Sequence, residues 1–266
     1  MCKVLQISRS SFYYKKLPRK VDVTLENAVI SEFRQSRSVF GARKLKYRLF
    51  KIHGLRVSRQ KIGRIMEKYG LISKYTLRNN KGKRQGMAVN FEPLPNIVDR
   101  QFRDRKPLEV VVSDLTYIKC GGRWHYICLL LDLCNRKIIG SAVGRNKDAV
   151  LVRQAFFNVQ GDLRNIQIFH TDRGSEFQNR IIDQIVKTFE MQRSLSARGT
   201  PVDNAVMESL YQTVKAEFAY GETFHDFYDL EIRWFDWVNW YNNVRPHETL
   251  GYLTPNEFAA TIATLS

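Results

Sequence analysis

EVVVSDLTYIK, residues 109–119, is a run of β-branched and apolar side chains with one acid, Asp114, at its centre. That composition reads as a largely buried β-strand. Two further strand-like runs follow, GRWHYICLLLDLC (122–134) and RKIIGSAVG (136–144), with turn signals at Gly121-Gly122 and Asn135-Arg136. Connections this short predict an antiparallel meander. Helices and strands then alternate: a helix over DAVLVRQAFFNV (148–159), a strand over IQIFHTD (166–172) and a helix over QNRIIDQIVKTFE (178–190). A short strand, RSLSA (193–197), and a helix, DNAVMESLYQTVKAEF (203–218), complete the series. The last region, 226–255, predicts an aromatic-rich helix ending near Pro246 and then an extended tail, with Trp234, Trp237 and Val238 as a packing face.

Acids are the anomaly in this half. Asp114 lies inside its strand, Asp172 ends IQIFHTD, and Glu208 falls on a helix; 57 residues separate the first two and 35 the last two. A chain of net charge +17 has reason to place acids at the ends of apolar runs if they hold a cation. Cleavage and transfer of a phosphodiester need an activated oxygen nucleophile and charge stabilisation on both apical oxygens. Two Mg²⁺ ions roughly 3.5–4 Å apart supply both. Mg²⁺ takes hard oxygen ligands and keeps positions open for water and phosphate, so three carboxylates suffice; Mn²⁺ is the expected substitute.

Each acid also has a plain reading. A lone strand Asp is often an edge or turn residue, and a lone helix Glu is usually solvated. Asp132, mid-strand in LLLDLC, competes for a place facing the site or a supporting network, and Glu176 reads as part of the RGSEF turn. His170 precedes Asp172 by two residues, so strand alternation puts it on the same side; it reads as a core or supporting histidine before a metal ligand. On the last helix, Val206, Leu210, Val214 and Phe218 form the expected buried stripe, with Asp203 or Asn204 as cap. Glu208, Gln212 and Lys215 lie off that stripe, and Lys215, two turns beyond Glu208, is assigned to phosphate contact.

The charge is unevenly spread. Residues 1–106 hold 27 Lys/Arg against 7 Asp/Glu, and residues 107–266 hold 16 against 19. A basic half joined to a near-neutral one points to a nucleic-acid grip attached to an enzymatic or assembly part. Within the basic half, TLENAVISEFRQS (24–36) is an amphipathic helix with Leu25, Ala28, Val29 and Phe33 on one side. Leu45, Leu49 and Ile52 mark a second helix, broken at His53-Gly54, and Ser58 caps a third that buries Ile62, Ile65, Met66 and Tyr69 and stops at Gly70. Its outward face carries Arg59, Gln60, Lys61, Arg64 and Lys68. This is the outline of a DNA-binding helix-turn-helix, and equally of a helical hairpin with a solvated basic face. The stretch RNNKGKRQG, with Lys81, Lys83 and Arg84, reads as a linker able to lie along a phosphate backbone.

The domains expected are therefore a helix-turn-helix remnant (1–20), a helical DNA-binding domain (21–72), a basic linker (73–106), a catalytic core (107–222) and an aromatic C-terminal helix with its tail (223–266). The four cysteines show no CxxC pair and no zinc spacing. YICLLLDLC is far short of the ~20 residues that span a bilayer, and the N-terminus lacks a signal peptide's apolar stretch. The expectation is a cytoplasmic, nucleoid-associated protein without a membrane partner.

Taken together, SDLTYI, HTDRGSEF, GTPVDNAVMESLYQTVKAE and NVRPHETLGYLTPNEF closely resemble the second-reading-frame (OrfB) product of the IS-three family of bacterial insertion sequences. That family lies within the DDE transposase and retroviral integrase superfamily. VFGARKL and VSRQKIGRIMEKYGL resemble its helix-turn-helix. The resemblance implies an all-α helix-turn-helix domain ahead of a ribonuclease H-like integrase core, an α/β fold with a five-stranded mixed sheet. It implies that Asp114, Asp172 and Glu208 are the metal ligands, and that Arg173, Gly174 and Asn204 support them. It also implies double-stranded DNA partners (terminal inverted repeats and target), a homo-oligomer of at least two copies on DNA, and an upstream first-frame protein joined by frameshifting. The reaction implied is Mg²⁺-dependent cleavage at element ends and 3′-hydroxyl strand transfer, copied out and pasted in through a circular intermediate. The alternatives are a non-catalytic DNA-binding regulator of transposition and a ribonuclease H-like hydrolase without transposition.

Overall fold

The computed structural model describes residues 2, 6, 8–14, 22–76, 98, 105–196 and 205–264. Most of the expected 1–20 remnant lies outside them, apart from a short helix α1 (Arg9–Tyr13). Most of the linker, with Lys81, Lys83 and Arg84, and the cap candidates Asp203 and Asn204 also lie outside.

Among the described residues of the basic half, three helices follow α1: α2 (Val23–Gln35), α3 (Ala42–His53) and α4 (Arg59–Lys68). The break after α3 is a left-handed Gly54, φ 66°, a conformation that costs glycine nothing. Ser58 starts α4 by accepting a hydrogen bond from the Lys61 N–H. Leu25, Val29, Phe33, Leu45, Leu49, Ile62 and Ile65 are buried between the three. Two expectations need correction: Ile52 is 51% exposed and Tyr69 43% exposed. The helices cross over a small core, and Tyr69 at the end of α4 instead donates its hydroxyl to Glu26 of α2.

The second half is the expected five-stranded mixed sheet, in the order β3-β2-β1-β4-β5. β1 (Val110–Cys120), β2 (Arg123–Asp132) and β3 (Ile138–Gly144) form the antiparallel meander. Gly121 and Gly122 both have positive φ at its first turn, as a two-residue hairpin requires. β4 (Ile168–Thr171) and β5 (Gln192–Leu195) run parallel to β1. Helices α5 (Ala149–Phe157) and α6 (Arg180–Thr188) cover one face, packing on Val111, Cys128, Leu130 and Phe169. α7 (Ala205–Val214) and α8 (Phe227–Asn243) belong to the other apolar cluster, with Val110, Val112, Leu129 and Leu131 of the sheet. That cluster continues into the helical half, where the Phe40 ring lies 6.1 Å from Trp240. Trp234 and Trp237 are fully buried in it, as the packing-face reading expects.

The extended tail is overturned. Residues 255–263 form a helix, α9, whose start is a capping box between Thr254 and Glu257 with Pro255 in the first turn. The signal T-P-N-E was in the sequence. α7 also departs from expectation, because it passes into a π-turn at Lys215–Ala219. Residues 73–76, at the start of the expected linker, pack down: Ser73 donates to the Val39 carbonyl, and Tyr75 donates to Glu217 in the π-turn.

Candidate active site

β1 and β4 set the site. In their parallel register Val112 faces His170 and Ser113 faces Thr171. One step further along each chain come Asp114 and Asp172, level with each other where β4 ends. Strand geometry thus brings two of the three acids together. The Asp114 carboxylate accepts from the Leu115 N–H at 2.7 Å, and its backbone carbonyl accepts from the Tyr211 hydroxyl of α7. Asp172 accepts from the Gly174 N–H at 3.0 Å. Burial, and then the charge of Asp172, push the Asp114 carboxyl up to about 7. Asp172 is raised as well, by burial and by Glu176, against the pull of the Gly174 N–H and Lys147.

Glu208 stands on the first turns of α7, exposed. Among the described residues no three acid, histidine or cysteine side chains form a metal-sized group, so the structure does not gather Glu208 with the two aspartates. Lys215, also exposed, opens the π-turn with its ammonium 4.8 Å from the centre of the Tyr117 ring. Arg59, Gln60, Lys61 and Arg64 are all exposed on α4, and Lys61 lies 3.5 Å from Asp22. Arg173 ties down the end of β5 by donating to the Ser196 carbonyl at 3.0 Å. His170 is fully buried, with one ring nitrogen 2.8 Å from the Ser194 hydroxyl and the other 3.0 Å from Ser196. Both nitrogens are engaged, so it braces β4 against β5.

Asp132 is not mid-strand. It closes β2 opposite Val111, and its carboxylate accepts from the Leu108 and Cys134 N–H groups, holding the chain at the β2–β3 turn. Three residues from Asp114 in register, it sits about 10 Å away and on the other face of the sheet.

Glu176, read from the sequence only as part of the RGSEF turn, and Lys147, not singled out there, both stand beside the aspartates. Glu176 is buried and its carboxylate folds over Gly174, where a side chain would have to displace it. Lys147, from the loop before α5, lies 2.8 Å from Glu176 Oε1 and is also under the influence of Asp172 and Asp114. The RGSEF turn carried a hint of Glu176, but nothing in the sequence links Lys147 to it.

The donor set suits a divalent cation: two half-buried hard-oxygen carboxylates, both made harder to ionise by burial. This has a measurable consequence without metal. A carboxyl raised in the folded state contributes stability that is fully present below its unfolded pKa of 3.8 and lost as pH rises through about 7. The whole swing is on the order of 4 kcal/mol. Urea unfolding with chelator should therefore give similar stabilities for wild type and Asp114→Asn near pH 4, and a more stable variant at pH 8. Equal stabilities at both pH values would show that the carboxyl is not raised.

The chain is similar to known proteins over nearly its whole length. Two family models described as integrase core domain match residues 104–201 and 189–255, and one described as HTH-like domain matches 20–79. It is 28% identical over 244 residues to the transposase for insertion sequence element IS904 of Lactococcus lactis, covering 88% of this chain and 94% of that one. It is 26% identical over 273 residues to transposase InsF for insertion sequence IS3A of Escherichia coli, covering 97% and 92%. Among solved structures, the HTLV-2 integrase catalytic core domain in complex with magnesium matches at 12% identity and TM-score 0.42, covering 57% of this chain and 96% of that one.

Proposed function

We propose a reaction for this chain from one premise: it belongs to the IS-three family of insertion-sequence transposases, in which an HTH-like domain precedes an integrase core. The reaction is Mg²⁺-dependent cleavage at the ends of an insertion sequence, followed by strand transfer. In transfer the freed 3′-hydroxyl oxygen attacks a phosphorus of the second strand; a new P–O bond forms, the old one breaks, and the leaving 3′-oxygen takes a proton. The ends are joined first and inserted into a target later, through a circular intermediate.

Asp114 and Asp172 would hold the metal, with Glu208 as the third carboxylate. Bound there, a pair of Mg²⁺ ions supplies charge neutralisation at the scissile phosphate and makes the attacking oxygen easier to deprotonate. Lys215, at the start of the π-turn that follows α7, contacts a DNA phosphate. Arg59, Gln60, Lys61 and Arg64 grip the terminal repeat from α4, with Lys81, Lys83 and Arg84 along the backbone. Arg173 and His170 keep β4 and β5 in place under Asp172.

The observation that supports this reading is that two half-buried acids lie level with each other at the end of parallel strands in an otherwise basic chain. It is tested by incubating the protein with duplexes of the element's ends and Mg²⁺. Joined ends should form with wild type, disappear with chelator, and disappear with Glu208→Gln while DNA binding persists. Hydrolysed ends with no joined product would make the protein a hydrolase instead. Equal products from Glu208→Gln would remove that residue from the site.

A further inference from the structure

The β1–β2 hairpin runs on from Asp114 to its two-glycine turn, and its two faces differ. On one, Ile118, Cys120 and His125 are buried, with the His125 ring 5.5 Å from Phe227 of α8. The other carries Tyr117, Lys119 and Trp124, because Lys119 pairs with Trp124 and Tyr117 with Tyr126 across the hairpin. Tyr117 is 52% exposed and Trp124 54% exposed, with ring centres 5.1 Å apart and planes at 88°. No step of the reaction proposed above uses either ring.

A single exposed ring needs no explanation, whereas two in contact form an apolar patch that does. An edge-to-face pair leaves at least one face of the Trp124 indole uncovered by Tyr117. The hairpin from 115 to 131 holds Lys119 and Arg123 and no acid. Lys215 brings its ammonium to 4.8 Å from the centre of the Tyr117 ring. Asp226 and Asp229, whose charges reach Cys120 on the packed face, are taken up at the start of α8, where they accept the Asp229 and His225 N–H groups. Flat rings beside cationic side chains suit the bases of an anionic strand, because every base has a π-face and the cations meet its phosphates.

We propose that Tyr117 and Trp124 stack unpaired bases of the DNA strand whose phosphate Lys215 contacts. The inference rests on the reading that the chain acts on DNA ends. The occupant is a strand with its bases out of the duplex, because a base inside the stack has both faces covered by its neighbours. Alternation puts Tyr117 on the opposite face of β1 from Asp114, three residues and about 10 Å away. The two faces meet at an edge: beyond Ser113, β1 has no partner strand on its β4 side among the described residues. Lys215 follows α7, whose Tyr211 donates to the Asp114 carbonyl, and yet reaches the Tyr117 ring. A strand leaving the acids by this edge meets Lys215 and then the rings, within about three nucleotide steps of ~3.4 Å. Bases held there are drawn from their complement, which opens the end of the element beside the aspartates.

The chain carries its own probe. Of its four tryptophans, Trp234, Trp237 and Trp240 are buried, so Trp124 is the one open to a quencher. The full chain is titrated with an oligothymidylate single strand and with a blunt duplex of the same length, following tryptophan emission; anisotropy of the labelled single strand gives its affinity. The single strand should quench the emission saturably, and Trp124→Leu should abolish the quenching. Affinity should fall about tenfold or more in Trp124→Ala and in Tyr117→Ala, and stay within about threefold in Trp124→Phe. No saturable quenching in wild type, or unchanged affinity in both alanine variants, would overturn the platform. Equal quenching by the blunt duplex would overturn the assignment to unpaired bases. Self-association that Trp124→Ala abolishes, with no response to the single strand, would make the patch a contact between copies and overturn it too. The end-joining assay separates the two readings, because Glu208→Gln should lose joined ends and keep the quenching. A chain that joins ends without quenching lacks the platform alone, and one that is quenched without joining ends lacks the reaction alone.

Discussion

Asp114→Asn should leave a folded, DNA-binding protein whose strand transfer has fallen by about 10³-fold or more. In the role proposed for Asp114, its loss removes several kcal/mol of transition-state charge stabilisation, and about 4 kcal/mol is a factor of 10³. The fold has no reason to object. The asparagine side-chain oxygen can still accept the Leu115 N–H, and the backbone carbonyl remains available to Tyr211. The substitution also removes a carboxyl that burial and Asp172 make costly to ionise. The expected variant is thus at least as stable as wild type at pH 8, and inactive. Strand transfer with Mg²⁺, measured beside DNA affinity by fluorescence anisotropy, checks both halves. Activity within tenfold of wild type would take Asp114 out of the chemistry.

Arg245→Met should cost stability on a similar scale, for a different reason. Glu217 is buried at the π-turn, where burial would raise its carboxyl, yet the charge and hydrogen bonds of Arg245 hold it below its ordinary value. Removing the guanidinium strands a buried charge, which typically costs about 3–5 kcal/mol. For a chain of this size that is a fall in Tm of roughly 6–20 °C. The double variant Glu217→Gln/Arg245→Met should recover most of the loss, because the stranded charge is then gone. Calorimetry on the two variants decides it: a single variant within 1 °C of wild type would mean that the pair holds nothing together. Tyr75 also donates to Glu217, so the single variant should loosen residues 73–76 along with α7.

Much of this was written in the linear order of the chain. The meander was legible because its strands are contiguous and its turn carries two glycines. Two acids were legible because each ends or interrupts an apolar run. Relations made only by folding were not. The ion pair of Lys147 with Glu176 spans β3, α5 and β4, and no spacing announces it. The π-turn had left a trace that went unread. Val206, Leu210, Val214 and Phe218 recur every four residues, and over twelve residues a regular α-helix would carry that stripe about 120° off its face. Val206 is only half-buried, while Met207 and Tyr211 are buried beside Leu210 and Val214. The wider turn at 215–219 then returns Phe218 to the core, where it is 5% exposed.

β4 pairs with β1 only as far as Ser113, so Asp114 is the first residue of β1 beyond that ladder. Its side chain takes no part in the hydrogen bonds that define the sheet, and Asp172 likewise sits just past the end of its strand. Fold and chemistry are therefore inherited separately. A descendant that mutates either acid keeps the β-ladder, the apolar core and the basic half.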